Sequence, residues 1–162
     1  MGTHRTSKAS SSPKLLKHSI WLDGDVITAT YGIRLSTTSN TGGGWKSKHD
    51  HSKSINIRVI QSLAERFGWP RAVLRHFPKE LMVAVRAKAV RRHEIDPPLN
   101  VTITRCAPRK LDDDNLVSSA KPVIDAVARW LGVDDGRSDL VKYAVEYEKA
   151  ELAGFRIRIQ PR

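Results

Sequence analysis

Apolar and polar positions follow two rhythms along the chain. The first has a period of two: Val101 and Ile103 alternate with Thr102 and Thr104 in a β-branched run ending near Cys106, which predicts a half-buried strand. Phe155, Ile157 and Ile159 alternate with Arg156 and Arg158 in the same way, and a further strand is predicted over 140–148. Near the N-terminus, Ile20, Trp21 and Leu22 and then Val26, Ile27 and Thr28 flank Asp23-Gly24, the signature of a hairpin. The second rhythm is helical. Ile55, Val59, Leu63 and Phe67 recur every four residues, predicting a helix from Trp45 to about Phe67 that Gly68-Trp69-Pro70 ends. Ala120, Val123, Ile124, Val127 and Leu131 predict a second helix, closed by Gly132. Residues 36–44 are rich in Ser, Thr, Asn and Gly and read as a loop, and Pro97-Pro98 breaks the chain. The short apolar run at 81–90, with Arg and Lys interleaved, fits either element.

Strands and helices in one chain of 162 residues predict a single α+β domain over 19–162, without internal repeats. Residues 1–18 hold four basic residues, no acids and a serine run, and are expected to form a flexible basic tail. Cys106 is the only cysteine, which excludes a disulfide framework or a cysteine-rich zinc site. No apolar run is long enough to span a bilayer and no secretory stretch opens the chain, so a soluble, cytoplasmic protein without a membrane partner is expected.

Charge changes the picture. A formal net charge of +11 favours a polyanionic partner, nucleic acid first, because neutralised phosphates release condensed counterions. The charges are also segregated: residues 42–92 carry twelve Lys or Arg against three acids, whereas 111–151 carry ten acids against five bases. A surface that only binds phosphate gains nothing from such an acidic block, and a divalent ion reconciles the two. On this basis Lys46, Lys48, Lys53, Arg58, Arg105, Arg109 and Lys110 are the candidate DNA contacts.

The acids centre on Asp112-Asp113-Asp114-Asn115. If that segment is extended, Asp112 and Asp114 project to one side and grip one ion; if it opens a helix, the same acids cap amides and complement the macrodipole. Lys121 lies seven residues beyond Asp114, on one helical face with Ser118 and Asp125, where it steadies a phosphate or simply pairs with Asp125. Pro122 disfavours helix just before it, which places the regular helix start near Ser118 or Ser119. Asp134 and Asp135 follow Gly132. His49 and His51 flank Asp50 but have no third ligand nearby, so a solvated basic segment is expected there. Trp45, Trp69 and Trp130 are assigned to core or interface rather than base stacking. Gly42-Gly43-Gly44 lacks the lysine and serine spacing of a phosphate-cradling loop.

The ordered series Asp112-Asp113-Asp114-Asn115, Lys121-Pro122-Val123-Ile124-Asp125-Ala126 and Gly132-Val133-Asp134-Asp135 resembles the RusA family of Holliday junction resolvases. The likeness spans about 99–159, and Lys121 stands about one helical turn farther from Asn115 than in the family pattern. It implies a mixed sheet flanked by helices, a homodimer, and Mg²⁺-dependent hydrolysis of phosphodiester bonds at four-way junctions in DNA recombination and repair. It further implies Asp112, Asp114 and Asp135 as magnesium ligands, Asp134 as a neighbouring contributor, Lys121 as the essential lysine, and no small-molecule cofactor. A non-catalytic basic nucleic-acid-binding protein, or a nuclease for another DNA structure, is the alternative.

Overall fold

The computed structural model describes residues 14–36, 45–68 and 97–162, the side chains of 45–47 excepted. The apolar run at 81–90, Trp69 and most of the 36–44 loop lie outside the described residues. Within them the chain is a small α+β domain, in the order β1 (Ser19–Asp23), β2 (Val26–Tyr31), α1 (Trp45–Phe67), β3 (Leu99–Ala107), α2 (Asp113–Leu131), β4 (Val141–Lys149) and β5 (Gly154–Pro161). The five strands form one sheet in the order β1-β2-β5-β3-β4. Only β3 and β4 are parallel, because α2 carries the chain between them; the other pairs are antiparallel.

Strand register aligns the apolar positions. Ile27, Ile159, Val101 and Tyr143 form one row across the sheet and Ala29, Ile157, Ile103 and Val145 the next, so one face carries the core and receives both described helices. Ile55, Val59, Leu63 and Phe67 are buried against it from α1, and Val123, Val127, Trp130 and Leu131 from α2. Trp130 is core, as expected: its indole N–H donates to the Gly68 carbonyl at 2.9 Å. Asn56 Nδ2 donates to the Pro122 carbonyl at 3.3 Å. Contacts thus advance together along both helices, which run the same way with their N-terminal ends at the carboxyl end of β3.

The hairpin at Asp23-Gly24 is present, and two other local expectations are corrected. The hairpin loop is Gly24-Asp25, since Asp23 pairs with Val26, and Gly24 supplies the positive φ (57°) its first position requires. Residues 14–18 do not belong to a free tail: Leu16 N–H donates to the Ala153 carbonyl at 2.9 Å and Ala153 N–H to the Lys14 carbonyl at 2.8 Å. Residues 1–13 lie outside the described residues. Helix α2 begins at Asp113 rather than near Ser118, and Pro122 sits in its interior. The Ser118 carbonyl loses its helical partner there, on the exposed side of the helix. No described helix is long and apolar enough to cross a membrane.

Candidate metal centre

The acidic motif is a helix start rather than an extended segment. β3 ends at Ala107, and after a short connection Asp112 adopts extended backbone angles (φ −61°, ψ 161°) as the N-cap of α2. Its Oδ1 accepts from the Asn115 amide and its Oδ2 from Asn115 Nδ2, both at 2.9 Å. Asp113 and Asp114 occupy the first turn, where carboxylates complement the helix dipole. Asp113 pairs with Lys110 at 3.5 Å. Asp114 is exposed and bonds no described residue.

Asp135 comes back along the helix instead of forward to its start. Beyond Gly132, which terminates α2 in the left-handed region (φ 71°), the chain turns and sets the Asp135 carboxylate against Lys121. Lys121 Nζ also meets Asp125 Oδ1 at 2.7 Å. The Asp125 bond first, and then that of Asp135, hold the ammonium above the ordinary lysine range, while Lys121 holds Asp135 below the ordinary carboxylate range. Asp134 Oδ1 accepts from the Gly136 amide at 2.9 Å. Beneath the cluster on β4 lies the Tyr143 hydroxyl, buried and without a hydrogen-bond partner among the described residues. Burial, then the charges of Asp135 and Asp125, push its pKa well above the usual tyrosine value.

The predicted set therefore falls into two groups on one strip of α2. Asp112 and Asp114 mark its start, and Lys121 with Asp125 and Asp135 lies roughly 10 Å farther along the axis, at about 1.5 Å per residue. Asp112, Asp114 and Asp135 do not converge: among the described residues, no three acids, histidines or cysteines are arranged around a common ion position. The physical reason is the length of α2: the turn after Gly132 brings Asp135 to Lys121, about two helical turns short of the helix start.

The candidate DNA contacts separate as well. Lys48 lies in the first turn of α1, at the same end of the domain as the α2 acids, Lys53 lies in the third turn, and Arg109 and Lys110 are exposed just before Asp112. Arg58 is exposed farther along α1, and the Lys46 side chain lies outside the described residues. Arg105 is a brace more than a free contact: its Nε donates to the Leu35 carbonyl at 3.3 Å and its Nη1 to the Arg109 carbonyl at 2.9 Å. His51 Nε2–H donates to the Arg34 carbonyl at 3.2 Å, so that imidazole is a loop anchor. Asp125, Tyr143 and Arg34 were not among the predicted site residues. Asp125 carried a signal, its i,i+4 spacing from Lys121, whereas Tyr143 and Arg34 enter only through tertiary packing. Scanned against protein-family models the chain matches none, and no curated protein matches it significantly.

Proposed function

We propose that the chain is a Mg²⁺-dependent DNA endonuclease of the RusA kind, cutting four-way junctions as a homodimer. The carrying observation is that Asp135 returns from beyond α2 to the same surface strip that bears Asp114 and Lys121, so that the ordered acid, lysine, acid series is spatially one surface. That strip borders the end of the domain where Lys48, Arg109 and Lys110 gather, which suits a polyanion approaching an acidic site.

The residues fit magnesium in a particular way. This ion is usually held by one or two carboxylates together with water and substrate phosphates, so a closed cage of three acids is not required. Asp112 and Asp114 are hard oxygen donors two residues apart; Asp114 engages no described residue, and each Asp112 oxygen keeps a lone pair beside its bond to Asn115. Magnesium held there would neutralise charge on the phosphate and lower the pKa of a bound water. Lys121, clamped by Asp125 and Asp135, stays protonated through the neutral range and acts by charge, not as a base. Asp135 is assigned to positioning that lysine, with Asp134 shaping the turn that presents it.

The alternative, a non-catalytic DNA-binding protein, draws on the capping bonds of Asp112, which occupy both its oxygens. Incubating the purified protein with a synthetic four-way junction and Mg²⁺ separates the two. Paired incisions that vanish in Asp114→Asn are expected. Binding without incision, unchanged by the substitution or by metal, leaves only the binder. Sedimentation is expected to give a dimer.

A further inference from the structure

Four of the described cations sit beside acids. Lys121 meets Asp125 and Asp135, Arg137 meets Asp139, Arg156 meets Glu148, and Lys110 meets Asp113. At the carboxyl end of β3, Arg105 and Arg34 meet no acid among the described residues. Arg105 is half-buried and fixed by the Leu35 and Arg109 carbonyls. Leu35 is itself buried in the core, so the brace is anchored. Immediately before it stands Arg34, its backbone held by His51 and its exposed side chain bonded to no described residue. The groups that act on the Arg105 guanidinium, after burial itself, are Tyr147, Arg34 and Cys106, and none is a carboxylate.

Arg34 acts on the Arg105 guanidinium as a like charge, with no carboxylate against either among the described residues, and an anion between two such groups relieves the repulsion. Arg105 spends Nε and Nη1 on its brace, which leaves the Nη2 hydrogens; Arg34 keeps its whole planar fork. Such forks match the oxygens of a phosphodiester in pairs. The Arg109 carbonyl ties this pair to the short segment that leads into Asp112, so an anion held here lies next to the acidic helix start.

We infer that Arg34 and Arg105 form a seat for a DNA backbone phosphate at the carboxyl end of β3. The inference rests on the nuclease reading for its choice of ligand, not for the seat itself. The test is the anisotropy of a fluorescein-labelled four-way junction, titrated without divalent metal over a series of salt concentrations. Arg34→Gln leaves the brace intact; it is expected to weaken binding roughly tenfold and to reduce the slope of log affinity against log salt by about one. Arg34→Lys is expected to restore the slope but only part of the affinity, since it keeps the charge and loses the fork. Should Arg34→Gln leave slope and affinity unchanged, or wild-type protein fail to bind the junction, the seat does not exist. Should the slope fall as expected while wild-type protein cuts nothing in Mg²⁺, the seat stands and the nuclease reading falls.

Discussion

Asp112 is given two tasks, capping α2 and holding magnesium, and a pair of substitutions separates them. Asp112→Ala removes the acceptor for the Asn115 amide, at about 1 kcal/mol for a lost N-cap. It also removes a negative charge from the positive end of the helix dipole, about 0.5 kcal/mol more at an exposed site. The sum, about 1.5 kcal/mol, corresponds to a fall in Tm of roughly 3–6 °C for a domain of this size. Asp112→Asn keeps an oxygen acceptor for the amide and gives up the charge and the outer bond to Asn115 Nδ2, so its cost is expected near 0.5 kcal/mol. Urea unfolding followed by circular dichroism measures both, and junction cleavage in Mg²⁺ is assayed alongside. The expected pattern is graded stability, with Ala well below Asn, beside cleavage lost equally in both. Full cleavage by Asp112→Asn would remove Asp112 from the metal site, and equal stability of the two variants would refute the capping geometry.

Two further outcomes follow from other parts of the molecule. Lys121 has its folded pKa raised, so its contribution to stability is complete below the ordinary lysine value and is lost only as pH climbs past it; Asp135 has its pKa lowered, so its share is complete above the ordinary carboxylate value and is lost on acidification. The pair therefore gives no inflection between about pH 6 and 9, and a cleavage profile with an inflection in that window that disappears in Lys121→Arg would contradict the clamped, charged lysine. A Cβ on Gly32 would sit 2.1 Å from the Leu16 carbonyl oxygen. Gly32→Ala is expected to detach the 14–16 segment from Ala153, seen as faster hydrogen exchange at the Leu16 amide; unchanged exchange would mean that this contact does not hold the segment.

Much of the fold was legible because burial writes itself into spacing. Val101 and Ile103 against Thr102 and Thr104, and Phe155, Ile157 and Ile159 against the arginines, are strands with one wet and one dry side, and the core confirms each. The α1 stripe from Ile55 to Phe67 and the Gly132 stop were readable for the same reason. Strand order was not, since nothing local tells β5 to enter between β2 and β3. Pro122 misled because its local preference is weak against a helix held by buried Val123, Val127 and Trp130 on one side and by the Asp112 cap at its start. At the site, the spacing of Asp114, Lys121 and Asp125 on one face was visible in the chain. The attachment of Asp135 to the lysine rather than to Asp112 depended on how the turn after Gly132 closes, which spacing does not encode.

The shared direction of α1 and α2 has an electrical consequence. Each array of peptide dipoles presents about half a positive elementary charge at its start, and here both starts face the same pole of the domain. That potential belongs to the backbone: it does not titrate, and no exchange of lysine or arginine removes it. Its reach is about one helical turn, and at α2 the carboxylates of Asp112, Asp113 and Asp114 answer it, whereas the first turn of α1 carries no acid and leaves it unanswered.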